Sequence, residues 1–436
     1  MRRALLDQSL PPSRLALLLQ VSRLAAEAGL PTYLVGGFAR DLLLGRPPGD
    51  FDFVVEGAEA GPRLARAAAR ELGGEVTVHA AFATATWLDP QGAAIDFATA
   101  RSEIYPEPAA LPQVTPGSIA ADLGRRDFTI NALALRVDGD HYGDVLDPHR
   151  GRADLEARVV RALHMRSFED DPTRILRAVR YEQRLGFHLA DETRALIPAA
   201  FASLAALTGD RIRHELELIF REPNSAAMLA RLDQLSVLRA IHPALHWGAS
   251  AAVRAGVMAQ WPVSDWKLQS LPEPDVSYLA LLLDSASRAE AAEALARLNV
   301  NRECGEAVPA ARGLRIESRR PSEVVAQLDR QSEAAIVAAY VLHEGSRATV
   351  HDYLAHWRFV RTETTGDDLI EMGLTPGPLF RRILWELRAA RLDGGVTDAT
   401  GERELIPKLA SNNNDQVMAG PVDDPPVNSP LPPAGK

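Results

Sequence analysis

Along the first third of the chain the apolar positions change period repeatedly. From Leu15 to Gly29 they recur every three or four residues, which predicts an amphipathic helix stopped by Gly29. Thr32–Val35 reads as a short strand, and Gly36 and Gly37 follow it directly. Helical spacing resumes over residues 38–44. Phe51–Val55 then alternates, with Asp52 and Val54 on one face and Phe51, Phe53 and Val55 on the other. Further strands are predicted at Glu75–His79, Thr84–Leu88, Ala93–Ala98 and Ala132–Val137. After about residue 151 the pattern becomes helix after helix. The span 160–350 is rich in Ala, Leu and Arg and is broken at Gly186, Gly209, Pro223, Pro243 and Pro272–Pro274. Another helical unit is predicted over 351–410. From Ser411 the chain is rich in Asn, Pro and Gly and is expected to be disordered. The expected architecture is therefore an α+β N-terminal head followed by all-α domains.

Length and composition narrow the class. A chain of 436 residues is too long for one core, and 46% hydrophobic with 24% charged residues is ordinary for a globular protein. No apolar run is long enough to span a bilayer, so no membrane association is expected. The basic start is soon broken by Asp7 and Pro11, which argues against a secretory signal. One cysteine, Cys304, excludes an internal disulfide and a cysteine-cluster zinc site, and a reducing cytoplasm is expected. The net charge of −10 argues against a nucleic-acid partner at first sight. Yet of 48 basic residues only Lys267, Lys408 and Lys436 are lysines, leaving 45 arginines. A guanidinium forks onto phosphates and base edges, so where the arginines sit matters more than the sum.

The densest chemistry lies at Leu34–Gly45 and Asp50–Asp52. A strand running into Gly36-Gly37 lets backbone approach a ligand and leaves amides open at a helix start, which suits phosphate. Asp50 and Asp52 are two apart, and on an extended strand both carboxylates point the same way. Such a pair repels itself unless a cation lies between, and hard oxygens beside a triphosphate favour Mg2+. Either element alone is commonplace. Their succession, strand, Gly-Gly, helix, Asp-x-Asp, strand, points to a nucleotidyl transfer site.

This block resembles the head of the polymerase-β-like nucleotidyltransferases, in the bacterial branch of tRNA CCA-adding enzymes and poly(A) polymerases. The likeness runs from about Tyr33 to Phe220, and more weakly over 366–395. It implies a mixed-sheet head, a helical neck, body and tail, and partners tRNA, CTP and ATP. The implied domains are a catalytic head at 1–155, a neck at 156–222, a body at 223–350, a tRNA-contacting tail at 351–410 and a disordered end at 411–436. Asp50 and Asp52 become the catalytic metal ligands, and Gly36, Gly37 and Arg40 belong to the nucleotide cradle. Asp96, in Ile95–Arg101, is the candidate third carboxylate. In Asp122–Ala132, which matches the second family signature, Arg126, Asp127 and Asn131 fall to the nucleotide sugar and phosphates.

Phe168–Phe187 is the second strong segment. Asp171 before Pro172 reads as a helix cap, and Gly186 as the helix end. Arg174, Arg177, Arg180 and Arg184 share a spacing of three or four and so tend to one face. In the family, an acid and an arginine at this spacing hydrogen-bond the base edge of CTP or ATP, which gives Asp171 and Arg174. Arg177 and Arg180 join the nucleotide site. Asp170 stands where tRNA nucleotidyltransferases often have Glu. Arg211–Phe220 resembles the last family signature and is expected to support the base-reading helix. At 366–395, an arginine-bearing helix (Arg381, Arg382, Arg388, Arg391) resembles the tail of longer-armed members.

Three outputs compete: full CCA addition, partial addition (A only or CC only) and poly(A) addition. Residues 102–124 carry Pro106, Pro108, Pro112 and Pro116; the corresponding region of the family includes a flexible lever needed to pass from C to A, and here it is of full length. CC-only addition is therefore disfavoured, and CCA addition is the first expectation, with A-only addition or poly(A) synthesis as alternatives.

Overall fold

The computed structural model describes residues 2–110, 112–260, 264–268 and 270–411, with side chains from residue 6 onward apart from 260. Of the expected disordered end, only Ser411 falls among them, as the last residue of a helix; 412–436 lie outside. The chain divides into two compact units, one ending at Pro243 and the other beginning at Ala244.

The first unit opens with helices α1 (Arg2–Ser9) and α2 (Pro12–Glu27). Proline in the first turn of α2 has no N–H to leave unsatisfied, so the helix starts ahead of Leu15. Gly29, at φ +62°, then turns the chain away. A mixed sheet follows, with β1 (Thr32–Val35), β2 (Asp52–Val55), β3 (Glu75–His79), β4 (Thr84–Leu88), β5 (Ala94–Thr99), β8 (Ala134–Arg136) and β9 (Val145–Leu146) in the order β3-β4-β5-β2-β1-β8-β9. Helices α3 (Gly37–Leu43) and α4 (Ala60–Leu72) are its early crossovers. The strand expected at Ala132–Val137 is shorter, because Thr129–Asn131 winds into a 3-10 turn before it.

Alternation sorts the two faces of the central strands. Phe53 stacks on Phe97 with centroids 5.0 Å apart, and Phe51 and Phe38 extend this aromatic file. Each such pair adds about 0.5–1.5 kcal/mol to its area burial. The residues between them, Asp52 on β2 and Asp96 on β5, face the opposite way, and they are register partners in a parallel ladder. Tyr33, Val35, Val54, Leu123 and Ala134 form a further core cluster.

In the segment 102–124, where the resemblance implies that a flexible lever is included, two stretches of backbone are paired. β6 (Arg101–Ile104) and β7 (Gln113–Pro116) form an antiparallel hairpin, and α5 (Ile119–Gly124) follows, capped by Ser118. Beyond α6 (Gly151–Ala157) the unit is helical: α7 (Ser167–Asp170), α8 (Thr173–Leu185), α9 (Asp191–Ala195), α10 (Phe201–Ala206), α11 (Gly209–Phe220), α12 (Ser225–Gln234) and α13 (Val237–Ile241). α8 packs on α11 and α12 and ends at Gly186 in the left-handed region.

The second unit is all helical among the described residues, from Ala249–Ala255 to Ala399–Ser411. Its helix Pro378–Leu392 carries the four arginines of the 366–395 likeness. Arg388 is buried, with Nη1 2.6 Å from Asp329, and Arg391 bonds Glu363 and Glu402. Two of those arginines therefore hold the unit together. His351 accepts a hydrogen bond from Trp266 Nε1, an ordinary structural role.

Candidate active site

Turns, strands and helices from six separate stretches of sequence meet at a cleft of about 560 Å³ in the first unit. Its lining includes Gly36, Gly37, Asp52, Arg126, Asp127, Asn131, Asp171, Arg174 and Arg177. Nine of the predicted site residues therefore share one cavity.

The glycine turn has two unequal members. Gly36 lies at φ +61°, and a Cβ there would come 2.8 Å from Arg126 Nη1 and 4.0 Å from Asp52 Oδ2. Gly37 has no such φ, and its Cβ would meet only Arg40 Nη2 at 3.6 Å, an ordinary contact. Arg40 is itself buried and donates from Nη1 to Asn131 Oδ1 at 2.8 Å. It buttresses the wall and is not among the lining residues.

Asp52 opens the acidic side. Its side chain is exposed to the cleft, and partial desolvation by the surrounding walls is the first cause that raises its pKa. Arg126 opposes that rise, while Asp122 and the register partner Asp96 add to it. Asp96 is exposed, and its Oδ1 accepts from Thr86 Oγ1 at 2.7 Å. Asp50 is placed differently. β2 begins at Asp52, so Asp50 precedes the ladder and the two-residue alternation does not reach it. It is exposed and lines a neighbouring hollow with Ser13, Arg14 and Phe51. Among the described residues, no group of three or more His, Cys, Asp or Glu is gathered as a metal cage. The adjacent carboxylates of Asp52 and Asp96, where the charge of Asp96 adds to the raised pKa of Asp52, do fit a hard divalent cation.

The opposite wall is a network of arginines on buried acids. Asp122 is fully buried and receives two forks: Arg125 on Oδ1 at 2.8 and 3.0 Å, Arg126 on Oδ2 at 3.0 and 3.3 Å. Burial alone would raise its pKa, but the two guanidiniums outweigh that and hold it below the usual carboxylate range. Asp127 repeats the arrangement. Its Oδ1 accepts from Phe128 N and Asn131 Nδ2, and its Oδ2 takes a fork from Arg177 at 2.6 and 2.9 Å. Burial again works to raise its pKa and Arg177 overrides it, so the group stays ionised well below neutrality.

α7 and α8 bring the candidate base-reading pair. Asp171 follows α7, and its Oδ1 accepts from Thr173 N, Thr173 Oγ1 and Arg211 Nη2. The N-cap position itself falls to Pro172, one residue later than predicted, because α8 begins at Thr173, and the Asp171 side chain bonds that first helical residue from the cleft wall. Arg174 is buried, donating to Ser167 Oγ at 2.9 Å and to the Arg125 carbonyl at 2.8 Å. Arg180 lies behind the lining with Nη2 3.5 Å from Glu215, and Arg184 points outward to Glu222. Asp170 pairs with Arg166, away from the cleft lining.

Five further residues shape the cleft. Asp122 was within reach of sequence reasoning, being three and four residues before Arg125 and Arg126, which follow the end of α5. Tyr181 was too, four residues after Arg177; the guanidiniums of Arg40, Arg177 and Arg180 stand 5.3–5.9 Å from its ring. Glu103 and Tyr105 carry no local signal, because the hairpin brings them in from a distance, and Glu215 was marked only as part of the Arg211–Phe220 signature. Glu103 bonds both Arg125 and the Tyr105 hydroxyl, and Tyr105 lies 5.9 Å from Arg174.

Comparison with known proteins agrees on the type of molecule. Residues 32–161 match the family described as the poly A polymerase head domain, and 186–247 match a probable RNA and SrmB-binding site of polymerase A. An A-adding tRNA nucleotidyltransferase of Halalkalibacterium halodurans is 31% identical over 90% of this chain and 92% of its own. A Geobacter sulfurreducens protein of the same name is 34% identical over 94% of this chain, which spans about half (48%) of that relative's length. The solved Thermotoga maritima CCA-adding enzyme complexed with tRNA superposes with a TM-score of 0.75 at 29% identity, over 93% of this chain and 98% of that one.

Proposed function

The chain belongs to the tRNA nucleotidyltransferase family, and on that premise we propose that it builds or repairs the 3′-terminal CCA of tRNA from CTP and ATP, without a nucleic-acid template. One observation carries the reading. A single cleft unites the Gly36 turn, Asp52, the Arg126-Asp127 pair and the Asp171-Arg174 pair, which are distant in sequence.

Asp52 and Asp96, with Asp50 just ahead of β2, are the residues that would hold Mg2+. Bound there, the cation would neutralise triphosphate charge and favour ionisation of the attacking 3′-hydroxyl. The protein's own groups do the rest. Arg126 and Arg177 face the cleft with their orientation fixed by buried carboxylates, so they meet phosphate or ribose oxygens without reorganising. Asn131 locks Asp127 to Arg40 and keeps that wall rigid.

Base choice falls to Asp171 and Arg174. Arg174 has two of its donors fixed by Ser167 and the Arg125 carbonyl, and Asp171 is fixed by Arg211 and Thr173. A donor and an acceptor held this way suit the edges of C and A. G and U present the reverse order and leave buried polar groups unpaired, at about 1–3 kcal/mol each.

The same reading places the protein in the cytoplasm, in keeping with a single cysteine, Cys304, which is buried. It also makes 156–222 the neck, 223–350 the body and 351–410 a tail touching the tRNA body.

A second reading, addition of the terminal A alone, is favoured by the names of the Halalkalibacterium and Geobacter relatives. Labelled CTP and ATP, given separately and together to tRNA ending before C, after one C and after CC, separate the two. CCA addition predicts incorporation on all three ends. Labelled A on the CC end only, with no C on any substrate, establishes the second reading. Long A-tails on unrelated RNA point to poly(A) synthesis, and no incorporation on any substrate overturns the enzymatic reading.

A further inference from the structure

Asp50 presents a mechanical problem. A carboxylate beside a metal must be held to a fraction of an ångström, yet Asp50 lies outside the sheet ladder that fixes Asp52 and Asp96. The stretch before it, Pro47-Pro48-Gly49, has two residues with no N–H to anchor. Among the described residues, the hydrogen bonds tying Pro47–Asp50 to the rest of the unit come from one side chain. Arg14 on α2 donates from Nη1 to the Pro48 carbonyl at 3.0 Å and from Nη2 to the Gly49 carbonyl.

The same guanidinium covers the next residue. Its central carbon stands 4.6 Å from the centroid of the Phe51 ring, and Phe51 is buried although it too precedes β2. Phe51 in turn packs on Phe38 and Phe53, at 5.5 and 5.6 Å. Asp50 is thus bracketed by carbonyls gripped on one side and a ring pinned on the other, both by Arg14. A planar fork does this in one geometry; an ammonium group offers neither the paired donors nor the flat face.

We infer that Arg14, outside the matched head segment, is a positioning residue that fixes Asp50 for metal binding. This rests on the proposed assignment of Asp50 as a metal-binding carboxylate, and the test separates the two. An outer partner of this kind typically changes metal affinity 10–100-fold when lost.

The experiment uses the full chain with Mn2+ as probe, measured by electron paramagnetic resonance without nucleotide, alongside the Mg2+ concentration for half-maximal nucleotide incorporation. The variants are Arg14→Ala, Arg14→Lys and Asp50→Ala. Arg14→Ala should weaken Mn2+ binding by about tenfold and raise the Mg2+ requirement by a similar factor. Arg14→Lys, which keeps the charge and the helix and answers for any folding loss in the alanine variant, should shift both in the same direction. Asp50→Ala should lose at least as much Mn2+ affinity as Arg14→Ala. If Asp50→Ala is impaired while both Arg14 variants bind Mn2+ as the unmodified protein does, the positioning role is overturned and the metal assignment stands. If Asp50→Ala binds Mn2+ normally, the assignment of Asp50 fails and the role of Arg14 falls with it.

Discussion

Substituting alanine for the two adjacent glycines, one at a time, should give opposite results. Gly36 sits at φ +61°, where a Cβ crowds the following carbonyl at a cost of about 1–2 kcal/mol. The added methyl would also lie 2.8 Å from Arg126 Nη1, and Arg126 cannot retreat freely because its other nitrogens are forked on fully buried Asp122. Gly37 has neither constraint: its Cβ meets only a flexible guanidinium end at 3.6 Å, and it opens a helix, where alanine is preferred to glycine by up to about 1 kcal/mol. Gly36→Ala should therefore lower stability by about 1–2 kcal/mol or more, and Gly37→Ala should leave it level or slightly raised. For a unit of this size that corresponds to about 2–4 °C per kcal/mol. Differential scanning calorimetry of the two variants beside the unmodified protein reads this directly, and single-turnover incorporation should show Gly36→Ala losing activity because Arg126 is displaced. Equal melting temperatures for both variants, or full activity in Gly36→Ala, would refute the geometry.

Other outcomes follow from the same contacts. Asp52→Ala should abolish nucleotide incorporation while tRNA binding in a filter or mobility-shift assay is retained; unchanged incorporation would remove Asp52 from the metal site. Glu215→Gln removes the charge facing Arg177 and Arg180, at 3.6 and 3.5 Å, and should raise KM for the nucleotide more than it lowers kcat; a pure kcat loss would contradict this. Asp127 has its pKa lowered in the folded state, so its ionised form stabilises the fold above the ordinary carboxylate value near about 3.9 and loses that contribution as pH falls through the folded value. Urea denaturation should show the stability gap between the unmodified protein and Asp127→Asn narrowing below about pH 4; a gap that widens in acid would be incompatible with this sign.

How legible the site was depended on the range of the interaction. Gly36 and Asp52 were readable because a strand's alternation and a glycine pair are local. The same local rule does not reach Asp50: it assumes a continuous strand, and β2 starts two residues later, after Pro47-Pro48-Gly49. The element pattern foretold the mixed sheet and the helical remainder but gave no sign of the hairpin that pairs Arg101–Ile104 with Gln113–Pro116. The arginine spacing in α8 correctly suggested a shared face only in part. Arg174 and Arg177 reach the cleft, while Arg184 turns to Glu222 because the face drifts with helical period. Glu103 and Tyr105 were silent, and Glu215 stood out only as part of a supporting signature, since their partners are brought near by tertiary pairing.

The central claim is that one cleft both binds the nucleotide and chooses its base, through Asp171 and Arg174. The direct measurement is single-turnover incorporation of ATP, CTP, GTP and UTP on tRNA ending in CC, for the unmodified protein and Arg174→Ala. The account predicts that ATP is strongly preferred by the unmodified protein, and that Arg174→Ala loses about 10–100-fold of the preference for ATP over GTP and UTP while still joining a nucleotide to the tRNA. A variant that keeps the full preference, with all four rates reduced alike, would contradict it.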